Sequence, residues 1–152
     1  MTHAIHKRRL LAVLTAVFAL FALLLMHPTA GAVDEEDELI GANIQDGVLL
    51  GYYGPGGDIV LPNTVTKIGD EALKGNKKIT GITIPGSVTD IGNNAFENCA
   101  NLERVTFTNP DKATENLLIR LGAFKDCTSL NDVEIPARAY QIVGNIFKGC
   151  TS

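Results

Sequence analysis

The chain has no tryptophan, and its three histidines, His3, His6 and His27, all fall within the first 27 of its 152 residues. The histidine-free remainder excludes Ser-His and Cys-His nucleophile pairs there, and with them any histidine-ligated metal. Cysteine is scarce: only Cys99, Cys127 and Cys150 are present, with no C-x-x-C pair to begin a zinc site. An odd count also leaves at least one thiol outside any intramolecular disulfide. Basic residues are outnumbered. Of thirteen Lys and Arg, three precede residue 33, which leaves ten against seventeen acidic side chains and a formal charge of −7 for the rest. That balance argues against nucleic acid and anionic lipid as partners. The glycine-rich stretch at 51–57 lacks the Lys and helix that a phosphate-cradling loop needs, so no cofactor is expected.

Long apolar runs are confined to one place. Lys7, Arg8 and Arg9 lead into an apolar stretch at 10–26, and the small residues Ala30-Gly31-Ala32 follow. This is the three-part pattern of a secretory signal peptide, with cleavage expected between Ala32 and Val33. A stretch of seventeen residues, apolar but for Thr15, lies at the lower edge of a bilayer span, so an uncleaved anchor is the weaker reading. The membrane then enters only through export, and the protein is expected to be secreted, extracellular or at the cell surface. Residues 33–39, reading V-D-E-E-D-E-L, form an acidic linker. Residues 40–57 centre on Asp46-Gly47, a two-residue pair suited to the positive φ angles of a type I′ turn, and predict an N-terminal β-hairpin cap.

From residue 58 to 152 the sequence repeats. Ile59-Val60-Leu61-Pro62 returns as Ile82-Thr83-Ile84-Pro85, then as Val105-Thr106-Phe107-Thr108 and Val133-Glu134-Ile135-Pro136. The steps are 23, 28 and 23 residues, so the middle unit carries five extra residues between Asn109 and Leu118. A second block, Ile68-Gly69-x-x-Ala72-Leu73-x-x-Asn76, returns with Ala95, Phe96 and Cys99, then Ala123, Phe124 and Cys127, then Phe147 and Cys150. A fixed period with one short strand per unit describes a solenoid of about four coils, the last incomplete. Alternation places Ile82 and Ile84 inward and Thr83 outward. The Ala-Phe pair is read as a short helical turn, capped at its start by Asp70 or Asn93 and at its end by Gly75 or Gly149. The expected class is therefore an α/β repeat solenoid. Its pattern breaks off at Ser152 where another strand is due, which points to a longer array.

The pattern I-G-x-x-A-F-x-x-C-x-x-L-x-x-V-x-I-P, carried by residues 58–152, resembles the BspA-like leucine-rich repeats of bacterial surface proteins. The resemblance implies a curved right-handed solenoid, export, and adhesion or protein recognition. Arg120 and Val143 depart from it where Gly69 and Gly92 stand, as do Thr108 for the strand-ending proline and Ile146 for the alanine.

Constellations with chemical potential are few. The cysteines share one repeat position beside the Ala-Phe pair and read as a buried column. Asp132 and Glu134 are expected to share a solvent face about 6.6 Å apart on a strand, near the separation of inverting glycosidases, but a shallow sheet offers no cleft to desolvate one acid. The leading expectation is a non-catalytic module that recognises a host or bacterial surface protein or glycan through the outward strand positions Thr83, Arg104, Thr106, Asp132 and Glu134, with Asp58, Val60 and Gly81 on the same face. Lys74 and Glu97 mark the opposite, turn-side surface. The alternatives are an accessory repeat region of a longer surface enzyme, or a passive cell-wall spacer.

Overall fold

A computed structural model describes residues 39–108 and 115–152. The leader with its Ala32/Val33 junction, the linker at 33–38, and residues 109–114 of the insertion lie outside the described residues. The described residues form ten strands: β1 Ala42–Gln45, β2 Val48–Tyr52, β3 Gly57–Val60, β4 Lys67–Ile68, β5 Ile79–Ile84, β6 Asp90–Ile91, β7 Arg104–Phe107, β8 Leu117–Ile119, β9 Asp132–Val133 and β10 Ala139–Ile142. They build two sheets, β1-β2-β4-β6-β8-β10 and β3-β5-β7-β9. All pairs are parallel except β1 with β2. Each coil therefore contributes one strand to each sheet, and the protein is a β-solenoid of about four turns.

The expected α/β character is not observed, since no helix occurs among the described residues. The Ala-Phe segment forms interlocked turns instead, and the backbone explains why. Glu71, Asn94, Gly122 and Asn145 adopt φ angles of 57°, 53°, 64° and 64°, and four residues later Gly75, Asn98, Asp126 and Gly149 adopt 72°, 60°, 57° and 81°. Two left-handed residues per coil stop a right-handed helix from propagating. Hydrogen bonds alternate accordingly. Ala72, Lys74 and Asn76 donate three residues back, to Gly69, Glu71 and Leu73, whereas Glu71, Leu73 and Gly75 donate to Asn93, Ala95 and Glu97 of the next coil. Asp70 caps no helix of its own. Its Oδ1 accepts the Asn93 N–H at 2.8 Å, one coil on.

The hairpin forms with Asp46 at φ 49° and Gly47 at φ 75°. It is not a separate lid, because β2 pairs in parallel with β4 and so continues the larger sheet. The core between the sheets takes the inward residues: Ile59, Ile82 and Val105 from one sheet, Leu49, Ile68, Ile91 and Ile119 from the other. Phe96 and Phe124 are fully buried and stack at 5.0 Å, and Phe147 continues the stack at 5.6 Å. Pro62, Pro85 and Pro136 follow the first strand of their coils, and each carbonyl accepts an N–H three residues on, from Val65, Val88 and Ala139. The ring blocks further pairing and the turn carries the chain to the second sheet.

Candidate interaction surface

Register fixes what the smaller sheet shows to solvent. Asp58, Gly81, Arg104 and Asp132 align on one line across the coils, and Val60, Thr83 and Thr106 on the next. Between those lines, Ile59, Ile82, Val105 and Val133 point inward. Of the five residues expected at the surface, Thr106, Asp132 and Glu134 are exposed, and Thr83 and Arg104 are half-buried. Thr106, Asp132 and Glu134 line one depression of about 400 Å³, together with Val105, Phe107 and Pro136. Thr83 belongs to a different depression, of about 650 Å³, at the other end of the sheet. Four of the five residues are thus split between two hollows, and Arg104 lines neither. β9 ends at Val133, so Glu134 lies beyond the strand that was expected to carry it beside Asp132.

Arg104 does not stand free as its sequence position suggested. Its Nη2 reaches the Asp58 carboxylate at 2.5 Å, two coils back, and Thr80 Oγ1 donates to the same carboxylate at 2.9 Å. The Thr80 hydroxyl is the largest influence on Asp58; desolvation opposes it, and with the hydrogen bond and charge of Arg104 added the carboxyl is held below its usual range. The glycine between them leaves room for the pair: a Cβ on Gly81 would lie 2.6 Å from Asp58 Oδ1 and 3.2 Å from Arg104 Nη2 and would push the ends of these side chains aside.

The turn side differs from expectation at Glu97, which is 8% exposed and the one charged residue among those described that is buried. Lys125 and Lys74, from the coils after and before it, hold its carboxylate at 2.5 Å and 3.0 Å. Hydrogen bonds from Lys125 and then Lys74 lower its pKa more than desolvation raises it. On the larger sheet Arg120 has a use that its departure from the repeat pattern concealed. It forks onto Asp90 with Nε at 2.8 Å and Nη2 at 2.9 Å, and Lys67 adds a contact at 3.1 Å. Burial works against the charged Asp90, but the Arg120 and Lys67 hydrogen bonds outweigh it and leave its pKa lowered.

The three cysteines are free thiols in one column, Cys99 and Cys127 buried and Cys150 partly so. Each Sγ donates to a carbonyl of the preceding coil: Cys99 to Leu73 at 3.0 Å, Cys127 to Phe96 at 3.1 Å, Cys150 to Phe124 at 3.2 Å. Asn76 fills the same position one coil earlier, its Nδ2 donating to Tyr52 O at 3.4 Å. Burial pushes the Cys99 and Cys127 thiols up to about 12.

The repeat geometry agrees with a family profile described as BspA type Leucine rich repeat region, which matches residues 56–152 in six copies. The chain belongs to the BspA-type leucine-rich repeat family. Among solved structures, it is similar to a leucine-rich repeat protein from Bacteroides capillosus ATCC 29799, at 28% identity and a TM-score of 0.53, over 69% of this chain and 83% of that one. It also matches a leucine rich cell surface protein from Faecalibacterium prausnitzii A2-165, at 31% identity and a TM-score of 0.47, over 63% of this chain and 27% of that one. A leucine-rich repeat protein of T. pallidum matches at 24% identity and a TM-score of 0.49, over 68% of this chain and 59% of that one. A search of curated proteins finds no match. As a BspA-type repeat protein, the chain derives its surface from coil register, so residues 23 or 28 apart act side by side.

Proposed function

We infer that this is an exported, non-catalytic recognition module of the cell surface, and that it engages a protein or glycan through the outward face of its smaller sheet. The observation that carries the reading is the hollow of about 400 Å³ where Thr106, Asp132 and Glu134 converge over two coils. A hydroxyl and two carboxylates on a stiff parallel sheet suit a ligand rich in hydrogen-bond donors, such as a sugar surface or a basic protein patch. The leader at 1–32 supports export, and Ala32 and Val33 are the residues proposed to flank the cut. Each exposed contact contributes roughly 0.5–1.5 kcal/mol, so affinity for one array is weak and several arrays acting together give useful adhesion.

Binding to an array of glycans and matrix proteins tests this. Thr106→Ala with Glu134→Ala should abolish the signal, whereas Lys77→Ala with Lys148→Ala, at exposed positions outside the strands, should leave it unchanged. Loss confined to the lysine pair moves the function to the turn side. A protein that binds nothing on the array supports the passive spacer reading.

A further inference from the structure

The cysteine column takes no part in the recognition face proposed above. Its three thiols stand at one repeat position, and their surroundings repeat with them. Phe96 O accepts the Cys99 N–H at 3.1 Å and the Cys127 thiol at 3.1 Å, and Phe124 O accepts the Cys127 N–H at 3.4 Å and the Cys150 thiol at 3.2 Å. Equivalent sulfurs are therefore offset by one coil, about 4.8 Å along a parallel ladder. Side chains that point the same way at this spacing keep their Cβ atoms beyond the separation of about 3.8 Å that a disulfide prefers. The thiols stay apart.

Two sulfurs one coil apart match the span of a linear sulfur–metal–sulfur unit, which is twice a metal–thiolate bond of about 2.3 Å. Ions that demand more ligands find none: no group of three or more His, Cys, Asp or Glu able to hold a metal occurs among the described residues. Soft sulfur donors in pairs suit cations of the Cu(I) class. The two neighbouring pairs in the column are not equal. Cys99 and Cys127 are buried, whereas solvent reaches Cys150. Burial is the main influence raising all three thiols, and at Cys127 and Cys150 the Asp126 carboxylate adds to it. Asp126 keeps much of its charge, because Lys125 lies 3.5 Å from it but 2.5 Å from Glu97. A negative charge that resists a thiolate also attracts a cation. Cys99 feels only burial and the opposing main-chain N–H groups of Asn76 and Gly75.

We propose that Cys127 and Cys150 form a two-ligand site for a soft monovalent cation of the Cu(I) or Ag(I) type. The ion lies between adjoining coils and takes a lone pair from each sulfur. One S–H proton leaves to solvent and the other stays, so a monovalent ion adds no net charge to a largely buried pair. The carbonyls lose nothing they cannot spare. If a sulfur turns from Phe96 O or Phe124 O to the ion, that oxygen still accepts the Cys99 or the Cys127 N–H.

The test uses the full-length reduced chain and silver(I) nitrate in chloride-free buffer. A 1H–109Ag correlation spectrum should show one silver resonance coupled to the β-protons of both Cys127 and Cys150. Silver affinity, measured by competition with N-acetylcysteine, should fall at least about a hundredfold in Cys150→Ser, because a second thiol fixed beside the first acts at high effective concentration. Serine keeps a donor for Phe124 O at a partly exposed position, so this variant should fold. Cys99→Ser should hold silver as the natural chain does. If that variant does not fold, the correlation spectrum of the natural chain still decides. Silver resonances each coupled to a single cysteine would mean adventitious thiol binding only, and would overturn the proposal. So would one silver shared by Cys99 and Cys127, or equal affinity in Cys150→Ser. None of these results bears on the strand face, which the array experiment tests separately.

Discussion

The guanidinium of Arg104 passes over Gly81 to the carboxylate of Asp58, an ion pair between residues 46 apart in sequence. It straps three consecutive strands of the smaller sheet, β3, β5 and β7, and depends on the absent side chain at its middle.

Gly81→Ala should therefore displace the Asp58 carboxylate from Arg104. The expected signature is a rise of the Asp58 pKa toward the ordinary carboxylate value in an NMR titration. Thr80→Val and Arg104→Ala should each raise it as well, because the Thr80 hydroxyl and the Arg104 guanidinium both favour the carboxylate. No change in the Gly81→Ala titration would refute the strap.

Phe96→Ala removes the first ring of the stack from a site with no solvent exposure. The expected loss is about 3–5 kcal/mol, most of what a domain this small possesses. Lys77→Ala, at an exposed position outside the strands, should shift the denaturation midpoint hardly at all. Similar midpoints for the two variants would place Phe96 outside the core.

Glu97 gives stability a dependence on acid. Its folded pKa lies below the usual 4.5, so its contribution is fully present above that value and is lost as pH falls through the lower folded pKa. Asp90, also lowered from 3.8, acts in the same direction. Melting temperature measured from pH 6 down to pH 2 should fall steeply in the natural chain, and Glu97→Gln should flatten the lower part of that fall. An unchanged slope would show that the two lysines do not favour the carboxylate.

The thiols act at the other end of the scale. Cys99 and Cys127 are raised from 9.0 to about 12, so the unfolded chain ionises first and stability drains away as pH climbs from about 9 toward 12. At neutral pH iodoacetamide should label Cys150 before the other two, which should react only after unfolding. Equal labelling rates for all three in the native protein would contradict the column.

Sequence alone made the period, the inward alternation of Ile82 and Ile84, the Asp46-Gly47 hairpin and the shared cysteine position legible, because each rests on local pattern or on repetition. The helical turn was misread for a local reason too. Its left-handed positions are held by Glu71, Asn94, Asn98 and Asp126 as well as by glycine, and a glutamate in a polar segment gives no warning of positive φ. The second strand of each coil, such as Lys67–Ile68 or Asp90–Ile91, is too short to show alternation. Glu97 looked like a solvated charge until the coils on either side supplied its lysines. Likewise the strap from Arg104 to Asp58 skips a coil, and no spacing rule within one repeat reveals it.

The alternation of turn hydrogen bonds, half within a coil and half to the next, bears on how the chain assembles over time. Partners in the parallel ladders are separated by 19 to 28 residues at each step. Since the entropic cost of closing a loop grows only with the logarithm of its length, each added coil meets nearly the same barrier as the one before it. Growth then proceeds as a zipper from any coil already formed. Lengthening such an array increases the number of steps while leaving the slowest one almost unchanged.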